Sequence, residues 1–374
     1  MKEKKEPLLL PACSCMTLTS KEGCHYWFRT CDIEKEFWQK GAHIVCHGAG
    51  SSIAYGDGKI ENNLYTFQGI TYNFLDTWLL DGVNEWGLCG GLLMLEEGTS
   101  VEKVTEDKEG YIGMEVVTKM LSSCQNVKEV TAMAKRIQIL DIPQGNRSVR
   151  ASMHYFFADP EGEEVILEAA DQNRKGIFRI YEKKENIGIM TNSPTYDKQK
   201  ENLSWFLSES MELRYGKNGK AVRELFFDGR KVEADDKAEH ISLSGVFPAS
   251  YASYDRFLRL AVIKALNYSG NYFRKEEMLA LGSGLMNVVM EPDTGGVFHY
   301  GKIEEDGKIT GQKESFTQYV VMYDLEEKCF YMKVYDMISW KKYEWKDMTG
   351  KEKEIQIISH GHRQGVIVED ESKA

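Results

Sequence analysis

Alternating apolar and polar residues near the amino terminus predict a β-hairpin. The segment "CSCMTLT" alternates in character, "SKEG" supplies turn residues, and "CHYWFRTCDI" is rich in aromatic residues that favour strands. Further strands are predicted at "AHIVCHG", "NLYTFQGITYNFL", "TWLLDGVNE" and "GLCGGLLML", which are mainly apolar and are bounded by glycine or other turn-forming residues. The first part of the chain is therefore predicted to be β-sheet.

The periodicity changes after Gly113, where apolar residues recur at helical spacing and predict two helices that separate near Gln125 and Asn126. A hairpin follows in "MHYFFADPEGEEVILEAA", with "DPEG" as its turn, and "GIFRIYEKKENIGIMTN" continues the sheet. Helices are then predicted at about 196–213, 254–267 and 274–290, and strands return at "QYVVMYD", "CFYMKVYD" and "EIQIIS".

The order of these elements shows no regular βαβ alternation. Helices layered on largely antiparallel sheets are therefore the expected architecture, which belongs to the α+β class. The 374 residues include only seven prolines, and no low-complexity run marks a linker between domains. We therefore predict one large domain.

Charge and hydropathy disfavour two classes of partner. The formal net charge is −11 and the isoelectric point is about 5.4, so a nucleic-acid backbone would meet net repulsion. No segment reaches the roughly 18 consecutive apolar residues of a membrane-spanning helix, and "LLLPA" after the charged start is too short for a secretory signal. We therefore predict a cytoplasmic protein whose cysteines stay reduced.

Four cysteines lie close together in the first hairpin: Cys13, Cys15, Cys24 and Cys31. Their spacing lacks the paired C-x2-C knuckles of structural zinc sites, although zinc binding stays open as an alternative. If the turn centres near residue 22, facing residues have numbers that sum to about 43–45. Cys13 then lies opposite the segment from Arg29 to Asp32, Cys15 lies nearer Phe28, and Cys24 lies by the turn. Only Cys13 is predicted to reach both charged residues.

A thiol needs a base to become a nucleophile, because its ordinary pKa is about 8.5. A cut between Ala12 and Cys13 would give Cys13 its own α-amino group, whose ordinary pKa is about 7.7–8.0, as that base. In this hypothesis residues 1–12 are a propeptide that is removed, and residues 13–374 form the catalytic domain. The alternative is that Cys13 is a buried apolar residue beside a structural ion pair of Arg29 and Asp32.

Several motifs resemble those of the choloylglycine hydrolase family, N-terminal nucleophile hydrolases that include bile salt hydrolases and penicillin V acylases. The segments "CSCMT" and "RTCD" resemble the family's Cys-x-x-x-Thr and Arg-x-x-Asp motifs at their usual separation, which selects Cys13 over Cys15. In the second motif, Cys31 stands where the family usually has methionine. "DGVNEWGL", "MHYFFADPEGEEVILE", "GIMTNSPTYD" and "SYASYDRFLRLAVIK" are similar to further family blocks, and the resemblance covers nearly all of residues 13–340.

The resemblance implies a four-layer αββα sandwich of two antiparallel sheets, no cofactor or metal, and a homotetramer as the assembly that relatives suggest. It also implies roles for individual residues. Cys13 would be the nucleophile and, through its freed amine, the base, while Arg29 and Asp32 would hold that amine and the sulfur in the reactive geometry. Asn192 would donate its side-chain amide to the oxyanion that forms on the attacked carbonyl.

Two further positions belong to the implied site. Arg256 would stabilise the charged transition state near the thiolate, with Arg259 as the second choice. Met94 stands where bile salt hydrolases usually have asparagine and penicillin V acylases have tyrosine, so it could offer an oxyanion only its backbone N–H. Asn84, in contrast, is interpreted as a structural residue of a hairpin turn.

The expected function is hydrolysis of a linear carbon–nitrogen bond in a small N-acyl amide, through an acyl-thioester that water then cleaves. Conjugated bile salts are the favoured substrate class, and a penicillin V-type or other N-acyl amide is the alternative. Two other classes stay open. One is an acyltransferase that passes the same acyl group to an amine, and the other is a non-enzymatic thiol or zinc-binding protein.

Overall fold

The structure is a computed structural model that describes residues 12–72, 75–141, 143–144, 147–148, 153–209, 223–235, 237, 250–267, 272–293, 299–303, 309–337, 339–344, 352–360 and 364–367. The predicted propeptide, apart from residue 12, lies outside these residues. The helices are α1 (Val116–Ser123), α2 (Val127–Ala134), α3 (Tyr196–Glu209), α4 (Ser253–Asn267) and α5 (Met278–Asn287), with 3₁₀ turns at Gly113–Glu115 and Lys275–Glu277.

The strands, in chain order, are β1 (Ala12–Thr19), β2 (His25–Glu34), β3 (His43–His47), β4 (Ser52–Ala54), β5 (Ile60–Asn62), β6 (Phe67–Tyr72), β7 (Leu75–Asn84), β8 (Cys89–Met94), β9 (Glu109–Ile112), β10 (Ile137–Leu140), β11 (Pro143–Gln144), β12 (Arg147–Ser148), β13 (Met153–Ala158), β14 (Glu164–Glu168), β15 (Arg179–Glu182), β16 (Ile189–Thr191), β17 (Glu224–Phe227), β18 (Arg230–Glu233), β19 (His299–Ile303), β20 (Ile309–Asp324), β21 (Cys329–Val334), β22 (Lys341–Tyr343), β23 (Glu352–His360) and β24 (Gln364–Ile367).

Two large antiparallel sheets contain most of these strands. The seven-stranded sheet has the order β16-β1-β2-β20-β21-β22, with β19 beside β20. The nine-stranded sheet has the order β15-β14-β13-β8-β7-β6-β3-β23-β24. The α+β class predicted from the order of elements is confirmed, because strands adjacent in sequence pair into antiparallel hairpins in both sheets.

The two sheets pack face to face, and helices cover their outer faces. Trp27 of β2 lies so close to Gly91 of β8 that a Cβ atom on this glycine would be 2.7 Å from the indole ring. The Trp27 ring centroid lies 6.4 Å from that of Phe156 in the nine-stranded sheet. On the outer faces, α4 and α5 contact the β1–β2 hairpin, and α1 contacts β7 and β8. The resulting order of helix, sheet, sheet and helix is the expected four-layer sandwich.

The register of the first hairpin agrees with the prediction. Cys13 lies opposite Cys31, and the residue numbers of each β1–β2 pair sum to 44. The expected position of Cys15 is wrong by one residue, because Cys15 lies opposite Arg29 and not nearer Phe28. Successive side chains of a strand point to opposite faces, so odd-numbered residues of this hairpin face the other sheet and even-numbered residues face the helices.

The predicted helices also form, with shifted ends. Helices α1 and α2 separate where predicted, since the Asn126 side chain accepts a hydrogen bond from the backbone N–H of Glu129 and caps α2. Helix α3 reaches the last residue described in this part of the chain, so the end predicted at residue 213 lies outside the described residues. None of the described helices combines the length and the apolar character needed to cross a membrane.

Asn84 stabilises the turn between β7 and β8, as predicted for a structural residue. Its Oδ1 atom accepts hydrogen bonds from the backbone N–H groups of Trp86 and Leu88. Its Nδ2 atom donates to the carbonyl groups of Leu121 and Cys124 at the end of α1. The side chain therefore ties the hairpin to the helix layer.

Candidate active site

Cys13 lies at the start of β1, and its side chain is fully buried on the face toward the nine-stranded sheet. The Arg29 guanidinium donates a hydrogen bond to its Sγ atom over 2.8 Å. Burial alone would raise the pKa of the Cys13 thiol, but its hydrogen bond with Cys31 and the charge of Arg29 together bring that pKa below the ordinary value. The surroundings therefore favour the thiolate that nucleophilic attack requires.

The pKa values of the neighbouring cysteine thiols are raised, in contrast to that of Cys13. Burial raises the pKa of the Cys15 and Cys31 thiols well above the ordinary value, and the positive charge of Arg29 does not offset it. Cys24, at the turn, is only partly buried, and burial raises the pKa of its thiol as well. Among these four cysteines, Cys13 alone has a thiol pKa that is lowered, although Cys15 lies opposite Arg29 in the hairpin.

Arg29 is held in place by a buried aspartate and its hydrogen-bond partners, which the sequence analysis missed. Its guanidinium donates to the Leu80 carbonyl and, over 2.8 Å, to the Asp81 carboxylate. Asp81 also accepts hydrogen bonds from the hydroxyls of Tyr319 and Tyr323, each over 2.5 Å. The available signal was an aspartate within the apolar run "TWLLDG", because a buried carboxylate needs a partner.

Asp32 lies on the opposite face of the hairpin from the Cys13 sulfur. Its carboxylate accepts hydrogen bonds from the Thr317 hydroxyl at 2.5 Å, the Thr30 hydroxyl at 3.3 Å and the Arg256 guanidinium at 3.2 Å. A register shift between β2 and β20 brings Thr317 opposite Asp32. The two charged residues therefore approach Cys13 differently. Arg29 touches the sulfur, whereas Asp32 is linked to the Cys13 backbone through Arg256.

Arg256 of α4 completes that link. It donates to the backbone carbonyl of Cys13 over 2.8 Å and to Oδ1 of Asn192 over 2.9 Å, in addition to its ion pair with Asp32. Arg259, nearly one turn further along, donates instead to two backbone carbonyl groups. The structure therefore brings Arg256, the first choice of the sequence analysis, to Cys13.

Asn192 follows directly after β16, the strand beside β1. Its Oδ1 atom accepts the backbone N–H of Cys13 over 2.6 Å, and its Nδ2 atom donates to the carbonyl of Met94 over 3.2 Å. The two N–H donors that meet Oδ1, from Cys13 and Arg256, assign that atom as the amide oxygen. Met94 therefore reaches the site through its carbonyl oxygen, and the donation of its N–H to an oxyanion stays a prediction.

These contacts converge on a single residue. The sulfur of Cys13 receives a cationic donor, its N–H is held by an amide oxygen, and its carbonyl is held by a second guanidinium. A polarised thiol beside fixed hydrogen-bond donors is the arrangement that attack on a carbonyl carbon requires. Within the described part of the chain, no group of three or more histidine, cysteine or acidic side chains is arranged to hold a metal ion.

Comparison with known families gives this arrangement a chemical class. Residues 13–355 match a family described as linear amide C–N hydrolases, choloylglycine hydrolase family. The chain belongs to the choloylglycine hydrolase family. It is therefore a hydrolase that acts on linear carbon–nitrogen amide bonds, as the motifs of its sequence indicated. The non-enzymatic alternative does not account for this membership.

Two bacterial proteins are similar to this chain over most of their length. The bile salt hydrolase/transferase of Clostridium perfringens is 25% identical over 329 residues, which are 87% of this chain and 89% of that protein. The bile salt hydrolase/transferase of Lactiplantibacillus plantarum is 24% identical over 289 residues, 74% of this chain and 77% of that protein.

Solved structures show the same fold. A crystal structure of a mutant conjugated bile acid hydrolase from Clostridium perfringens has a TM-score of 0.71, with 21% identity, and the match covers 94% of this chain and 100% of that one. Penicillin V acylase from Agrobacterium tumefaciens has a TM-score of 0.62, with 16% identity, and the match covers 92% and 91% of the two chains. A conjugated bile acid hydrolase and a penicillin V acylase therefore both have the fold of this chain.

Proposed function

We propose that Cys13 is the nucleophile of this amide hydrolase and that it becomes the first residue when residues 1–12 are removed. The observation that carries the proposal is the 2.6 Å hydrogen bond from the Cys13 backbone N–H to Asn192. A cut before Cys13 would turn this nitrogen into an amine that is already held beside the sulfur of the same residue. The family match, which begins at residue 13, supports the same boundary.

In the proposed reaction the α-amine takes the thiol proton, and the thiolate attacks the carbonyl carbon of the amide. Asn192, through its Nδ2 atom, and the backbone N–H of Met94 stabilise the oxyanion. The tetrahedral intermediate then collapses, the carbon–nitrogen bond breaks, and the α-ammonium returns its proton to the leaving amine. Water, with the α-amine as its base, hydrolyses the acyl-thioester and regenerates Cys13.

The arginines and Asp32 have separate roles in this proposal. Arg29 stabilises the thiolate through its 2.8 Å contact with Sγ, and it cannot lose its own proton. Arg256 holds the Cys13 backbone and Asn192 in their relative positions, and it contributes positive charge beside the reacting carbonyl. Asp32 neutralises part of that charge and orients Arg256 over 3.2 Å.

For the substrate we propose conjugated bile salts, because both bacterial relatives are named bile salt hydrolase/transferase. A penicillin V-type amide is the second candidate, favoured by the shared fold of the penicillin V acylase. Because the relatives' names also include transferase, transfer of the acyl group to an amine is a further possible outcome of the same thioester. The homotetramer and the cytoplasmic location stay predictions.

Intact mass and a substrate panel test the proposal together. We expect active protein to have lost residues 1–12 and to release glycine or taurine from conjugated bile salts faster than it cleaves penicillin V. Hydroxylamine should trap the acyl group as a hydroxamate, since the thioester reacts with amines as well as water. Active protein whose sequence still begins at Met1 would contradict the proposed nucleophile, whatever substrate it prefers.

The titration of Asp32 supplies a second prediction, for the stability of the full-length chain. Burial raises the pKa of this carboxyl to about 6, although Arg256 and the hydroxyl of Thr317 oppose the shift. An ordinary aspartate has a pKa of about 3.9, so between about pH 4 and pH 6 the folded chain keeps a proton here that the unfolded chain releases. The contribution of Asp32 to the free energy of unfolding must therefore decrease as the pH rises through this window.

Urea unfolding of the full-length wild type and of Asp32→Asn between pH 4 and pH 7 measures this contribution. We expect the wild type to lose more stability than the variant as the pH rises, because the neutral amide of asparagine does not titrate. Parallel stability curves for the two proteins would show that Asp32 titrates in its ordinary range.

A further inference from the structure

The two thiols of Cys13 and Cys31 lie directly across from each other in the first hairpin. Cys31 is the Cα partner of Cys13 in the β1–β2 register, and both side chains are fully buried. Their sulfur atoms share a hydrogen bond, and the Arg29 guanidinium lies 2.8 Å from Sγ of Cys13 and 4.0 Å from Sγ of Cys31. The second thiol is therefore part of the immediate surroundings of the nucleophile.

The backbone contacts of Cys13 define what kind of cross-strand pair this is. Its N–H donates to Asn192 and its carbonyl accepts from Arg256, so both groups point away from β2. Cys13 and Cys31 are therefore a non-hydrogen-bonded pair, for which Cα atoms are about 4.5 Å apart and side chains approach more closely than in the hydrogen-bonded pair. This separation falls within the roughly 4.4–6.8 Å range that disulfides span.

The two thiols differ in how readily they ionise. Arg29 and Cys31 stabilise the thiolate of Cys13, whereas burial keeps Cys31 in its thiol form. A thiolate-favoured cysteine next to a second thiol is the usual arrangement of redox-sensitive cysteine pairs. Cys15 is less suitable as a partner, since it lies two residues along the same strand and opposite Arg29.

We propose that Cys31 is a resolving thiol for the nucleophile, so that a hydroperoxide converts Cys13 and Cys31 into a disulfide that reversibly stops amide hydrolysis. The consequence for activity rests on the proposed role of Cys13, whereas the disulfide itself does not. Any site that admits an amide carbonyl to the Cys13 sulfur also admits the smaller hydrogen peroxide. Cys31 is itself fully buried beside that sulfur.

The reaction proceeds in two balanced steps. First, the thiolate of Cys13 attacks one oxygen of hydrogen peroxide, the O–O bond breaks, and the sulfenic acid forms on Cys13. The released hydroxide takes up the proton that Cys13 passed to its α-amine on ionising, and water forms. Second, the sulfur of Cys31 attacks the sulfenic sulfur of Cys13, the S–S bond forms, and the S–O bond breaks. The leaving hydroxide takes the proton of Cys31 and departs as water. Two thiols are oxidised and one peroxide is reduced to two waters.

The test uses the full processed protein, reduced and then treated with one equivalent of hydrogen peroxide. We expect the intact mass to fall by about 2 Da, a tryptic peptide pair to link residues 13 and 31, and dithiothreitol to reverse both changes. We expect more than about nine-tenths of the amidase activity to disappear and to return with the reductant, because the disulfide occupies the nucleophile.

The variants Cys31→Met and Cys15→Ser distinguish formation of the Cys13–Cys31 disulfide from irreversible oxidation of Cys13 alone. Treated with the two equivalents of hydrogen peroxide that a sulfinic acid requires, the Cys31→Met variant should gain two oxygen atoms on Cys13, a mass increase of about 32 Da, and its activity should not return with dithiothreitol. The Cys15→Ser variant should behave like the wild type. The inference fails if wild-type peptides carry only oxygen additions without the cross-link, a result that needs no variant to fold. If the cross-link forms in protein that has no amidase activity even when it is fully reduced, this result would support the inference and refute the proposed function.

Discussion

Replacing Cys13 with serine is expected to reduce kcat/KM for amide hydrolysis by at least about a thousandfold, whereas Cys15→Ser should retain most of the activity. The two thiols are two residues apart on one strand and on one face of it. Only Cys13 receives the Arg29 donor at 2.8 Å and has its backbone N–H held by Asn192. A serine hydroxyl in place of Cys13 has a much higher pKa than a thiol, so this setting cannot ionise it.

The measurement is steady-state hydrolysis of a glycine-conjugated bile salt, with product glycine quantified for each variant. Cys13→Ala provides the structural control, because removal of one small buried side chain should leave the thermal unfolding transition cooperative. If Cys15→Ser were inactive and Cys13→Ser active, the nucleophile would be Cys15, and the assignment of residue 13 as the mature amino terminus would be wrong.

Replacing Asp81 with asparagine is expected to lower the free energy of unfolding by about 3–5 kcal/mol. The Asp81 carboxylate is fully buried and is the partner of the equally buried Arg29 guanidinium at 2.8 Å. The neutral amide would leave the cation of Arg29 without its counter-ion in a dry interior, where an unpaired charge is strongly unfavourable. Activity should fall as well, since Arg29 would no longer be fixed against the Cys13 sulfur.

Asp197→Asn is the matched control for this experiment. Asp197 forms an ion pair with Arg179 at the surface, where both side chains are partly exposed, so the same chemical change should alter stability by less than about 1 kcal/mol. Urea unfolding of both variants gives the comparison. Tyr323→Phe, which removes only one hydrogen bond to Asp81, offers a milder variant if Asp81→Asn does not fold. Equal effects of Asp81→Asn and Asp197→Asn would show that Asp81 does not support Arg29.

Much of the fold can be predicted from local patterns in the sequence. The alternation of apolar and polar residues around the "SKEG" turn predicts the register of β1 and β2 to within one residue, and with it the pairing of Cys13 with the segment that contains Arg29. The helices α1 and α2 and the structural role of Asn84 follow from equally short-range signals. These features are local, because turn chemistry and side-chain periodicity act between residues that are near one another in the chain.

The candidate site was predicted only in part for the same reason. Motif resemblance gave Cys13, Arg29, Asn192 and Arg256, and the structure brings these residues together. Strand alternation does predict that Asp32 and Cys13 lie on opposite faces of the hairpin, because one position number is even and the other is odd. The link from Asp32 to Cys13 through Arg256 could not be predicted from alternation, because α4 lies more than 200 residues further along the chain.

The sequence by itself determined the class of fold, the register of the first hairpin to within one residue, and the choice of Cys13 as the proposed nucleophile. Only the tertiary structure decided that Asp81, Tyr319 and Tyr323 hold Arg29, and that Asn192 holds the nitrogen of Cys13. The physical reason is that periodicity determines which face of a strand a residue occupies. The partner it meets there is decided by which distant strands and helices pack together, and a buried charge is stabilised only by those long-range neighbours.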